Sequence, residues 1–220
     1  MNAAPPAMIT ASAIEVIRGC GILPISRGLE LSTVLRSADV LAAEGISVIE
    51  VTLDSPDAYG TIAALRRQYG RLAVGAGTVR TREMAVRAAD AGAQFLVSPS
   101  LDAEVIEAGA QRGLPMIAGA MTPTEIVQAH THGSVMVKVF PAGPLGPDYI
   151  RLLLSPLKDI PLVPTGGVTA ANAGGFIAAG AAAVGIGSSL LGPRVQDRVW
   201  LQTEAKALVK AVQEGRSRHA

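Results

Sequence analysis

The sequence predicts a (β/α)8 barrel with a short helix ahead of its first strand, read as one domain over residues 1–220. Three observations lead there. Short runs rich in Val, Ile and Leu recur eight times along the chain. Each is followed by a turn and an Ala-rich segment with helical spacing. The runs start about twenty to twenty-five residues apart, the length that a strand, a crossover helix and two short loops require, and no linker interrupts the rhythm. A doubly wound open sheet is the alternative architecture for the same alternation.

The opening stretch MNAAPPAMITASAIEVIRG lacks a basic start, and Glu15 interrupts its apolar run, so it reads as a short amphipathic helix rather than a signal peptide. Strands are expected at 21–26, 47–53, 72–77, 94–97, 115–118, 135–140, 162–164 and 183–187, with helices between them. Several boundaries carry their own chemistry. Thr122 precedes Pro123 and has Glu125 three residues on, the pattern of a capping box with proline in the first helical turn. Asp54, Ser55 and Pro56 are expected to end the second strand and start the next helix, and Gly45, Gly92, Gly113 and Gly133 to stop helices. Residues 160–193 carry no charge, as a membrane span would. Gly166, Gly167, Gly174, Gly175, Gly180, Gly185 and Gly187, with Pro161 and Pro164 and the polar Thr169 and Asn172, argue against that reading.

Composition excludes some functions. With 19 Lys+Arg against 18 Asp+Glu the net charge is +1, so no global field would attract nucleic acid or an anionic membrane. The single cysteine, Cys20, rules out an intramolecular disulfide framework and a multi-cysteine metal knuckle, and fits a reducing cytoplasm. His130 and His132 do not share a helix face and read as surface residues, not metal ligands.

In a barrel of this kind the site lies at the C-terminal ends of the strands. There the polar residues fall into a coherent set: Ser26 and Arg27, Glu50 and Thr52, Thr78, Ser98 and Pro99, Lys138 and Phe140, then Thr165-Gly166-Gly167 and Gly187-Ser188. Strand alternation puts Val48, Glu50 and Thr52 on one face, and Met136, Lys138 and Phe140 on another. Lys138 stands between Val137 and Val139, where an ammonium ion is costly to bury. Either it forms a buried structural ion pair with Glu50, or it is wanted neutral and nucleophilic, with Glu50 moving protons. Two glycine turns, Gly166-Gly167 and Gly187-Ser188, favour the second reading, because glycine lets backbone N–H groups approach a phosphate. GAGT at 75–78 lacks the third glycine of a dinucleotide loop and is not read as one.

Six ordered segments, IEVTL at 49–53, VGAGTV at 74–79, GAQFLVSPSL at 92–101, VKVFPAG at 137–143, PTGGV at 164–168 and GIGSSL at 185–190, resemble the 2-keto-3-deoxy-6-phosphogluconate (KDPG) aldolases. The resemblance implies a class I enzyme, free of metal and cofactor, that cleaves a phosphorylated 2-keto-3-deoxy sugar acid to pyruvate and glyceraldehyde 3-phosphate. By the same resemblance Lys138 is the Schiff-base lysine, Glu50 the proton shuttle and Thr78 a ligand of the pyruvate carboxylate. Phe140 packs beside the imine, Gly166, Gly167, Gly187 and Ser188 hold phosphate, Thr52, Pro99 and Thr165 contact substrate, and the assembly is a homotrimer. Where many relatives have arginine after EVTL, this chain has Asp54-Ser55-Pro56, a turn similar to the galactonate-directed branch, whereas Thr165 is similar to gluconate-selective members. Arg27 is the candidate to hold the carboxylate instead, with about 2–5 kcal/mol expected if it is a desolvated partner. A 4-hydroxy-2-oxoglutarate aldolase is an alternative within the family. A sugar-phosphate epimerase, or a non-catalytic barrel, would not need Lys138 and Glu50 together.

Overall fold

The computed structural model describes residues 7–219. Eight parallel strands, β1 (Ile22–Ser26), β2 (Val48–Thr52), β3 (Ala73–Gly77), β4 (Leu96–Val97), β5 (Met116–Ala120), β6 (Met136–Val139), β7 (Leu162–Pro164) and β8 (Val184–Ile186), run in the order 7-6-5-4-3-2-1-8. Each pairs with its sequential neighbours, β1 pairs with β8, and a single bridge between Thr165 and Gly185 joins β7 to β8. This is a (β/α)8 barrel. A doubly wound sheet would reverse its strand order and leave two edges.

Helix α1 (Ala7–Cys20) precedes the first strand. Its fully buried Ala13 and Ile17, four residues apart, close the base of the barrel against Leu23, Val48, Phe95, Ile117, Met136 and Val163. These strand residues form the inner core and lie two positions before those at the mouth. That spacing puts Val48 beneath Glu50 and Met136 beneath Lys138, as the alternation predicts. A second, larger core lies between the barrel and the outer helices α2 (Leu31–Ala43), α3 (Ala58–Gln68), α4 (Arg82–Asp90), α5 (Ala103–Gln111), α6 (Pro123–Thr131), α7 (Gly146–Leu154), α8 (Ala170–Ala178) and α9 (Arg198–His219). The charge-free stretch at 160–193 resolves into β7, α8 and β8, and no helix among the described residues is long and apolar enough to cross a membrane.

Local chemistry sets the boundaries. Thr122 and Glu125 form the reciprocal capping box, with Pro123 in the first turn. Gly45, Gly92, Gly113 and Gly133 take φ of 81, 92, 69 and 101°, the left-handed conformation that ends a helix. The turn after β2 differs from expectation. Asp57, not the Asp54–Pro56 segment, caps α3, accepting from the Gly60 N–H at 3.3 Å, so the three preceding residues are free for other partners. The fourth strand is shorter than predicted, and the fifth runs two residues further because Met116 to Ala120 keeps pairing with β6; the Gln94 side-chain oxygen accepts from the Val74 N–H and from Arg66.

Candidate active site

A cleft of about 1210 Å³ opens at the C-terminal ends of the strands. Arg27, Thr78, Pro99, Lys138, Phe140, Thr165, Gly166, Gly167, Gly187 and Ser188 all line it. Lys138 is 5% exposed, its Nζ lying 5.4 Å from the centre of the Phe140 ring, close enough for the ring face to attract a cation. Its neighbours across the ladder are Gly119 and Val163. A Cβ on Gly119 would strike the Pro99 carbonyl carbon at 2.3 Å, so glycine is what lets the turn after β4 fold down beside the lysine.

Glu50 points inward from β2 and is fully buried. Neither carboxylate oxygen has a hydrogen-bond partner, so the direct structural ion pair with Lys138 is not formed. Desolvation pushes the Glu50 carboxyl up, opposed by Lys138 and Arg27, while Asp54 adds to the rise. An unpartnered buried carboxyl is expensive, and such groups gather where chemistry needs them. The space for it comes from β3: a Cβ on Gly77 would lie 1.9 Å from Glu50 Oε1, and one on Gly75 would lie 2.2 Å from the Phe95 ring. The GAGT segment thus supplies room rather than a phosphate loop.

On the opposite wall, Gly166 and Gly167 adopt φ of 83 and 77° and pack against Gly143, whose N–H donates to the Gly166 carbonyl at 2.7 Å. Asn172 ties this turn to α8: its amide donates to the Gly167 carbonyl at 3.0 Å, and its carbonyl accepts from the Thr169 N–H at 2.8 Å. A glycine turn leading into a helix N-terminus offers unpaired N–H donors to an anion. Thr165 is nearly buried, and its hydroxyl donates to the Val163 carbonyl at 3.1 Å.

Arg27 extends from the end of β1 with Nη1 on Asp54 Oδ2 at 2.5 Å and Nη2 on Thr78 Oγ1 at 3.2 Å. Thr78 holds φ of 59°, a conformation that a β-branched side chain rarely takes. Thr52 is not brought to the cleft. It is fully buried, its hydroxyl donating to the Ser26 carbonyl at 3.2 Å and lying 3.0 Å from the Ser55 hydroxyl. These contacts make Thr52 a tie between β1 and β2. Asp54 and Ser55 stand in the sequence only as a turn, Gly77 only within GAGT and Gly143 only within VKVFPAG, none with a role at the site. The inward glycines of a strand, at alternate positions, were the available signal. His130, His132 and Lys158 are exposed, and no group of three or more possible metal ligands gathers among the described residues.

A strand lysine and a shielded carboxyl at the C-terminal end of a (β/α)8 barrel, beside a glycine turn at a helix N-terminus, are the site of a lysine-bearing barrel enzyme. The sequence profile of the KDPG and KHG aldolases matches residues 13–207, and the chain belongs to that family of aldolases, carbon–carbon lyases. It is 34% identical over 197 residues to the 2-dehydro-3-deoxy-6-phosphogalactonate aldolase of Escherichia coli, covering 88% of this chain and 95% of that one. It is 32% identical over 197 residues to the 2-dehydro-3-deoxy-phosphogluconate aldolase of Pseudomonas aeruginosa, covering 89% and 90%. Among solved structures, the KDPG aldolase of Legionella pneumophila, with pyruvate captured at low pH as a covalent carbinolamine intermediate, superposes with a TM-score of 0.80 at 27% identity, covering 89% of this chain and 96% of that one.

Proposed function

We propose that this chain cleaves a 2-keto-3-deoxy-6-phospho sugar acid to pyruvate and glyceraldehyde 3-phosphate through an imine on Lys138. The observation that carries this reading is the coupling at the strand ends: a nearly buried lysine lines a cleft whose far wall is a glycine turn suited to phosphate, and a fully buried, unpartnered carboxyl on β2 feels that lysine's charge. The carbinolamine in the Legionella relative supports an amine adding to pyruvate in this family. In sequence, the Lys138 amine attacks the C2 carbonyl and water leaves, giving an imine that accepts electrons. Glu50 relays the proton from the C4 hydroxyl as the C3–C4 bond breaks and the aldehyde departs. The enamine that remains is protonated at C3 and hydrolysed, releasing pyruvate and free lysine. Gly166, Gly167, Gly187 and Ser188 hold the phosphate.

Incubation with the gluconate and galactonate epimers side by side, with pyruvate release followed, tests the proposal. Turnover of neither defeats it. The epimer with the higher kcat/KM is the better substrate: the Asp54-Ser55-Pro56 turn favours galactonate and Thr165 favours gluconate.

Arg27 grips the substrate carboxylate with two parallel hydrogen bonds, which lysine cannot reproduce. Its side chain is 54% exposed, which moves the expected loss for Arg27→Ala below that for a desolvated pair, to ~1–3 kcal/mol in kcat/KM. Arg27→Lys should recover little of it. Unchanged kcat/KM in Arg27→Ala would show that Thr78 and backbone N–H groups hold the carboxylate alone.

The enzyme works as a trimer in a reducing cytoplasm. Exposed apolar side chains support a self-association face: Met121, Val127 and Leu152 are 39, 42 and 71% exposed on successive units of the barrel, and the Tyr149 hydroxyl ties α7 to the Met121 carbonyl at 2.6 Å. Sedimentation should give three times the chain mass across micromolar concentrations, and a monomer there would overturn the assembly.

A further inference from the structure

Asp54 is out of place on simple electrostatic grounds. A substrate carboxylate approaching Arg27 meets a second carboxylate, and the Arg27–Asp54 pair, with side chains 54 and 44% exposed, adds little to stability. Yet its surroundings are built with care. The turns that carry the two residues are stapled together: the Gly28 N–H donates to Ser55 Oγ at 2.8 Å, Ser55 lies 3.0 Å from Thr52 Oγ1, and Thr52 donates to the Ser26 carbonyl at 3.2 Å. The second nitrogen of the guanidinium is held by Thr78, itself in the left-handed conformation that turns its hydroxyl to this spot. Arg27 is thus fixed from two sides by side chains on β2 and β3 ends. A guanidinium presents five N–H donors, so donors remain for a ligand after both contacts are made.

Building on the reading of Arg27 as the carboxylate clamp, we propose that Asp54 is a positioning residue that holds the Arg27 guanidinium, together with Thr78, in the orientation that meets the keto acid's carboxylate. A free arginine side chain samples many rotamers, and freezing them before the ligand arrives lowers the cost of binding. Positioning and plain charge balance predict opposite signs. If Asp54 only neutralises Arg27, removing its charge frees the guanidinium and lifts a repulsion, and pyruvate binds more tightly. If Asp54 positions Arg27, removing it loosens the clamp and pyruvate binds more weakly.

Pyruvate alone is the probe, because it carries the carboxylate and the ketone without the phosphate. The pyruvate concentration that gives half-maximal borohydride labelling is measured for the unaltered protein, Asp54→Asn, Asp54→Glu, Arg27→Ala and the Arg27→Ala/Asp54→Asn double variant. Asp54→Asn should raise it about tenfold, within the range of direct couplings between contacting residues, while labelling at saturating pyruvate reaches the same extent. Asp54→Glu, which keeps the charge, should recover part of the loss. In the Arg27→Ala background Asp54→Asn should cause no further loss, since Asp54 aids binding only through the arginine. An unchanged or lowered half-saturation in Asp54→Asn overturns the proposal, as does a further loss in the double variant. Failure of the underlying reading looks different: the unaltered protein is not labelled at all, or Arg27→Ala binds pyruvate as the unaltered protein does.

Discussion

Lys138→Met is expected to abolish both turnover and the borohydride-dependent attachment of pyruvate, while leaving the barrel folded. Methionine is close to lysine in length and has no charge, and the site it would fill is nearly closed, at 5% exposure between buried Val137 and Val139. Replacing a buried amine by a flexible thioether removes a group that is costly to desolvate, so the variant should melt no lower than the unaltered protein. Its loss of turnover should be ~10⁴-fold or more, the scale seen when a nucleophile that acts as a unit with its base is removed. In the unaltered protein, one reduced pyruvyl group per chain should map to the peptide containing Lys138. Lys158, exposed between Leu157 and Asp159 beyond the end of α7, should stay unlabelled. Labelling at Lys158, or a Lys138→Met variant that still traps pyruvate, would remove the imine from Lys138.

What the sequence disclosed and what it did not have separate physical causes. Lys138 and Glu50 were legible because a charge inside an apolar strand run violates the pattern around it, and strand alternation then fixes the direction of both. The Thr122–Glu125 capping box and the helix-stopping glycines were legible because their partners lie within a few residues. Asp54 was not: its role depends on Arg27, twenty-seven residues away on another strand end, and no local pattern encodes that pairing. Thr52 shares the inward face of Glu50 by alternation, yet its hydroxyl turns to the Ser26 carbonyl, a choice of rotamer and partner that periodicity does not set. Gly75 and Gly77 looked like a weak nucleotide motif because glycine spacing was visible, while Phe95 and Glu50, which fill the space they leave, come from other strands.

Glu50→Gln should separate chemistry from binding and also reveal what the carboxyl costs the fold. The amide keeps the shape but cannot take or return a proton, so turnover should fall by ~10²–10⁴, while pyruvate is still trapped on Lys138. Equal loss of turnover and trapping would mean that Glu50 only positions. The stability effect has a defined sign. Burial without a partner raises the Glu50 carboxyl above its ordinary value of 4.5, so between that value and the raised one the folded chain binds more protons than the unfolded chain. Stability from this group is therefore fully present below pH 4.5 and is lost as pH rises through the raised value. Glutamine has nothing to lose over that window. Subtracting the melting temperature of the unaltered protein from that of Glu50→Gln at each pH cancels the other titrations, and the difference should grow from acid toward neutral pH and then level off. The nearby charges set how far it grows: Lys138 and Arg27 favour the carboxylate and Asp54 opposes it, so their attraction limits the gain. A difference that shrinks as pH rises, or does not change with pH, would show that Glu50 is ionised at least as readily in the folded barrel as in the unfolded chain.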